Sequence, residues 1–244
     1  MFKRFKVYEY FSKRGEIMTC IFCFQRIENE LTWDNIIAGN KKNKLCKSCT
    51  NSFIRLEGSL CSKCSQESNL KICLDCVEWS SKFNGVDILT KNISLFKYTS
   101  FTKNYLATWK YQGDYILIDG IEELIKAYKK EIINLSDKTY KIIPIPLSEE
   151  RLKERAFNQA AALAHLFGDV EENMLMRNVN DKQSKKTKQE RINTINSFKV
   201  IKPVKGDILL IDDIYTTGAT LRQAAIKLLN NGASKVSSFT LFRS

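Results

Sequence analysis

The chain has 244 residues, 43% of them hydrophobic, which suits one or two folded domains and excludes a disordered or low-complexity polymer. Lysine and arginine (39) outnumber aspartate and glutamate (27), and the net charge of +12 favours polyanionic partners or substrates without naming one. No run reaches the ~18–20 apolar residues of a membrane helix, and residues 1–14 are basic without the apolar stretch of a secretory signal, so no membrane span and a cytoplasmic location are expected.

In chain order, residues 1–17 read as a tail or upstream extension, because Met18 is a second candidate start. The next segment, 18–80, holds all eight cysteines, every one in a Cys-x-x-Cys pair: Cys20/Cys23, Cys46/Cys49, Cys61/Cys64 and Cys73/Cys76. Two thiolates at that spacing grip one tetrahedral ion from a tight turn, so two pairs make a closed four-thiolate site. Disulfides are disfavoured without an export signal, and a redox Cys-x-x-Cys normally occurs once, in a βαβ context. The expectation is a double zinc-ribbon-like domain with two structural zinc ions, their pairing sequential or interleaved. So little apolar content implies folding around the metal, and loss of metal is expected to unfold this segment and spare the rest. Lys41, Lys42, Lys44, Lys47, Lys63 and Lys71 form a solvated face or touch a polyanion.

Residues 78–84 read as a linker to a second domain, 90–244. There the pattern predicts a strand at 93–98, a helix at 101–110 broken at Tyr111-Gln112-Gly113-Asp114, and a helix at 116–131 with apolar Ile118, Ile121, Leu124, Ile125 and Tyr128. A strand at 141–146 carries Pro144 and Pro146, so it suits a strand end rather than a sheet interior. Arg151, Lys153 and Arg155 follow, then Asn158-Gln159 and an apolar helix to 167. They form either an anion subsite or an ordinary charged helix start. His165, the one histidine, falls in that apolar stretch and reads as a packed residue. A short strand is expected at 174–178. Residues 181–196 carry Lys182, Lys185, Lys186, Lys188 and Arg191 without apolar periodicity, and read as a basic loop or a flap over an anion. Further strands are expected at 198–201 and 235–242, with Gly232 ending the preceding helix.

Between these lies the most informative stretch. Ile208–Ile211 is an apolar run suited to a strand buried on both faces; Asp212 and Asp213 end it. A loop of Thr216, Thr217, Gly218, Ala219 and Thr220 leads into a helix at 221–229. Free amides and a positive helix end suit a phosphate, while the carboxylates would meet sugar hydroxyls or hydrated Mg²⁺. A ribose 5-phosphate has both kinds of group. Strand–helix alternation from 91 onward implies a mostly parallel sheet with flanking helices, its site at the carboxyl ends of the strands.

The Asp-Asp-Ile-Tyr-Thr-Thr-Gly-Ala-Thr run resembles the phosphoribosyl-pyrophosphate (PRPP) motif of type I phosphoribosyltransferases. The paired cysteines, Ile-Pro-Ile-Pro-Leu, Arg-Ala-Phe-Asn-Gln and the Asp-Asp run, taken in order, are similar to the ComF family of bacterial competence proteins. The resemblance implies a type I phosphoribosyltransferase-like α/β domain behind the zinc ribbons. It implies that Asp212 and Asp213 hold ribose hydroxyls, that 216–220 holds the 5′-phosphate, and that Arg151, Lys153 and above all Arg155 lie on the pyrophosphate side. Gln183, Thr187, Gln189, Arg191 and Asn193 match the family's polar flexible-loop region. Where the family has glycine this chain has Ala156, strained if that position needs φ > 0. The implied cofactors are zinc and Mg²⁺ with PRPP; the implied partners are PRPP, single-stranded DNA, a ComFA-like ATPase and DNA-processing proteins. A DNA-binding adaptor on the same fold and a nucleobase phosphoribosyltransferase are the alternatives. Salvage enzymes need no cysteine domain, which argues against the last.

Overall fold

A computed structural model describes residues 18–27, 43–111, 114–126, 140–178 and 198–244. Residues 1–17, Lys41, Lys42, Tyr128 and the basic segment 181–196 with its polar positions lie outside the described residues.

Four parallel strands form the central sheet: β1 (Asn92–Lys97), β2 (Lys141–Pro144), β5 (Gly206–Tyr215) and β6 (Ala233–Arg243), in the order β1-β6-β5-β2. The expected α/β architecture, a parallel sheet flanked by helices with two four-cysteine clusters toward the amino terminus, is the one observed. Parallel neighbours require crossovers, and α3 (Ser100–Tyr111), α4 (Leu117–Lys126), α5 (Glu149–Arg155), α6 (Gln159–His165) and α7 (Ala219–Leu229) lie in them. The run at 208–211 behaves as its composition demands. Leu209 and Ile211 join one apolar cluster with Trp109, Ile121 and Leu163, while Ile208 and Leu210 join another with Ile143, Leu221 and Val236. β2 is an edge strand that ends at Pro144, so this proline removes no ladder bond from a sheet centre.

Two short strands, β3 (Leu175–Arg177) and β4 (Phe198–Val200), pair antiparallel as a separate sheet. β5 is longer than its apolar run. It continues through Asp212 and Asp213 to Tyr215, since β6 pairs with it as far as Tyr215↔Arg243. The two acids therefore lie inside the strand, just past the Pro144↔Ile211 pair where β2 stops.

In the cysteine-rich segment, α1 is Lys47–Asn51 and α2 is Leu74–Ser81. The second corrects the expectation of a linker at 78–84. Cys76 and Trp79, one turn apart, are both buried, and Ser80 donates its hydroxyl to the Cys76 carbonyl. The segment also shares its core with the sheet. Leu45, Cys46, Cys49 and Phe53 belong to the cluster of Tyr105, Trp109 and Ile121. Leu45 presses on α4 at Gly120, where a Cβ would lie 2.9 Å from its Cγ, which explains a glycine in mid-helix.

Ala156 ends α5 at φ 66°, ψ −14°, in the left-handed region. Ala156→Gly is therefore expected to stabilise the protein by about 1 kcal/mol, raising Tm by roughly 2–4 °C. Calorimetric melting of the two proteins checks this, and an unchanged or lower midpoint would contradict the strain.

Candidate functional site

The bend after β5 is built by long-range ties to its carbonyls. Arg243 Nη1 donates to the carbonyls of Thr216 (3.0 Å) and Tyr215 (3.3 Å). The Trp79 indole N–H donates to the Thr217 carbonyl at 3.0 Å, and Arg222 Nη1 reaches the same oxygen at 3.5 Å. In a planar trans peptide the carbonyl and the next N–H point opposite ways. Holding those oxygens against Arg243 and Trp79 therefore turns the amides of Thr217 and Gly218 away from them. Ala219 N–H meets Thr217 Oγ1 at 3.4 Å, while the amides of Thr216, Thr217, Gly218 and Thr220 have no acceptor among the described residues. Gly218, the N-cap of α7, sits at φ 73°, and a Cβ there would collide with Arg222 Nη1 and the Tyr215 hydroxyl. No other residue fits.

Arg222 is the pillar behind the bend. It is 2% exposed and makes a two-pronged pair with Asp87: Nε to Oδ1 at 3.0 Å and Nη2 to Oδ2 at 2.5 Å. It donates to the Tyr215 hydroxyl at 2.8 Å and lies over the Trp79 ring at 4.6 Å. Burial raises the Tyr215 pKa in spite of the guanidinium beside it.

Of the two acids, Asp213 is buried and ion-paired with Lys110, at the end of α3. Asp212, partly exposed, accepts the Asp213 backbone N–H at 2.9 Å. Burial, then the negative charge of Asp213, pushes its pKa up to about 8. The folded state thus binds more protons here than the unfolded chain, so stability falls as pH rises from about 4 to about 8.

Arg155 is buried and lies over the Tyr111 ring at 5.3 Å, next to Lys110, with Nη1 donating to Gln159 Oε1 at 3.1 Å. Its Nε and Gln159 Nε2 are buried donors with no acceptor among the described residues. The end of α3 thus adjoins both Asp213 and Arg155. Arg151 and Lys153 lie exposed on α5, outside the hydrogen bonds of the bend. His165 is not packed: it ends α6 on the exposed side, with Nε2 2.6 Å from Glu172 Oε1. The apolar positions of α6, 160–164, are buried, and the helix stops one residue later. Sequence reasoning missed Lys110, Asp87, Trp79, Arg222 and Arg243, whose roles come from partners far along the chain.

The cysteines fall into two sets, Cys20/Cys23/Cys46/Cys49 and Cys61/Cys64/Cys73/Cys76, with the sulfurs of each within 4.8 Å of one another. Pairing is therefore sequential. Seven of the eight are buried and none is in a disulfide. Amides of Cys49 and Cys73 donate to Cys46 and Cys61 sulfurs at 3.5 and 3.3 Å. Four convergent sulfurs with backbone donors fit zinc and leave no open position.

No helix among the described residues is long and apolar enough to cross a membrane. No family model matches the chain. The competence protein ComFC of Bacillus subtilis is 36% identical to it over 236 residues, 93% of this chain and 95% of that protein. ComFC of Streptococcus pneumoniae is 30% identical over 233 residues, 93% of this chain and all of that one. The DNA utilization protein YhgH of Salmonella typhimurium is 30% identical over 131 residues, half of this chain and 56% of its own. Carrying that identity from one end of ComFC to the other, the chain belongs to the ComFC family.

Proposed function

We propose that this protein is a cytoplasmic competence factor that binds PRPP with Mg²⁺ on a type I phosphoribosyltransferase-like domain and serves the handling of transforming single-stranded DNA. Support for the competence role comes from relatives named for competence and DNA utilization. Support for the ligand comes from one observation above all: protein donors occupy the bend's carbonyls and leave the amides of 216–218 and 220 without acceptors among the described residues. Those amides at the head of α7 would receive the 5′-phosphate. Asp212 and Asp213 would receive the ribose hydroxyls, and Arg155 the pyrophosphate, for which its buried Nε has an open donor. Mg²⁺, carried by the pyrophosphate, would supply charge neutralisation. The proposal is one of binding and names no acceptor substrate. Single-stranded DNA would meet the +12 chain, and a ComFA-like ATPase and DNA-processing proteins would be the partners.

Calorimetric titration with PRPP and Mg²⁺ tests the reading. Wild type is expected to bind. Titrated at about pH 9, where most of Asp212 is ionised, Asp212→Asn is expected to bind at least tenfold more weakly, and Asp212→Asn with Asp213→Asn not measurably, since each loses a charged hydrogen-bond acceptor. The single variant keeps the Lys110–Asp213 pair, and with no charge at 212 it is expected to melt above wild type at pH 8 and level with it near pH 4. Lost binding is then not lost fold. Absence of binding by wild type would leave only the adaptor reading.

A further inference from the structure

The two donors that shape the bend are tied to opposite halves of one cysteine cluster, Trp79 by helix α2 and Arg243, at the end of β6, by its contacts with Gln66 and Cys64. Cys73 and Cys76 stand at the start of α2, and Trp79, one helical turn past Cys76, carries the indole N–H that reaches the Thr217 carbonyl at 3.0 Å. Cys61 and Cys64 lie on the preceding turn, with Gln66 just beyond. Arg243 Nη2 donates to Gln66 Oε1 at 2.7 Å and lies 3.9 Å from Cys64 Sγ, while its Nη1 holds the Thr216 carbonyl at 3.0 Å. An ion held by these four sulfurs would join the two halves. Through the planar peptide, Arg243 then aims the Thr217 amide and Trp79 aims the Gly218 amide.

We propose that Trp79 and Arg243 are positioning residues through which the second cysteine cluster and its metal set the anion affinity of the 216–218 bend. The identity of the anion rests on the PRPP reading above; the linkage does not. Coupling of this kind is reciprocal and travels through two hydrogen bonds and one helical turn rather than through a change of fold.

Two measurements on the metal-loaded protein test it. Trp79→Phe keeps a ring against Phe83 and Arg222 but removes the N–H. It is expected to bind PRPP with Mg²⁺ about tenfold more weakly, with metal content unchanged and Tm lower by a few degrees. Amide proton–nitrogen spectra of zinc- and cadmium-loaded protein form the second arm. Exchange of the ion is expected to shift both Thr217 and Gly218 in wild type. In Trp79→Phe the Gly218 shift is expected to vanish while the Thr217 shift, carried by Arg243, persists. A general loss of structure would move both alike. Equal PRPP affinity in the two proteins, or bend signals that ignore the ion, would overturn the linkage. Bend signals that follow the ion in a wild type that binds no PRPP would instead sink the PRPP reading and leave the linkage standing.

Discussion

Stripping both metal ions from the protein with a strong chelator is expected to unfold the parallel sheet together with the cysteine-rich segment. Composition alone points to a first third that melts and a remainder that survives, but that outcome needs separate cores, and the packing joins them. Leu45, Cys46, Cys49 and Phe53 lie in the same apolar cluster as Tyr105, Trp109 and Ile121, and Phe53 packs edge-on against Tyr105 at 5.1 Å. The second set of cysteines shares its cluster with Ile143, Tyr215 and Leu221. A structural zinc contributes on the order of 10 kcal/mol, comparable with the whole stability of a domain. Eight buried or half-buried thiols left without ions cannot hold the faces of α3 and α4 in place. Trp109, fully buried on α3, reports on the sheet side of this boundary. Its indole N–H resonance, assigned apart from those of the other two tryptophans in a proton–nitrogen spectrum, is expected to leave its native position with the first-third signal in one transition. Release of two metal equivalents while the Trp109 signal stays native would show that the shared clusters carry little of the stability.

The parts of the molecule legible in the sequence are those that local physics dictates. The apolar run at 208–211 had to be buried on both faces, and the four repeats of one cysteine spacing had to meet in pairs around an ion. The order of loop, glycine and helix at 216–229 follows from the single position, Gly218, that must adopt φ > 0. What escaped depends on partners remote in sequence. The extension of β5 through the acids follows the length of β6, which nothing near residue 212 encodes. Lys110 reads as one lysine among many in a basic chain until α3 carries it to Asp213. Trp79 lies in a stretch that reads as a linker, and its tie to Thr217 spans 138 residues. Ala156 shows the reverse case: the sequence posed the question of its backbone, and only the φ of 66° answered it.

The same long-range logic makes the buried Asp87–Arg222 pair a fragile point behind the bend. Asp87→Ala is expected to lose about 3–5 kcal/mol, because removing one member of a buried pair strands the other charge in an apolar setting. Arg222 has little room to escape: its side chain is 2% exposed, it is wedged between the Trp79 ring and the Tyr215 hydroxyl, and α7 fixes its backbone. For a chain of this size the loss corresponds to a fall in Tm on the order of 10 °C. The paired replacement Asp87→Leu with Arg222→Met separates charge from packing. With both charges gone and the volume kept, most of the stability is expected to return. Restored stability need not restore the bend, because a thioether in place of the guanidinium donates nothing to Tyr215 or to the Thr217 carbonyl. Denaturant midpoints of wild type, Asp87→Ala and the paired variant measure the three stabilities, and PRPP calorimetry on the last reads the bend. A loss under about 1 kcal/mol for Asp87→Ala would mean that water reaches the guanidinium, and that the pillar behind the bend is softer than its burial implies.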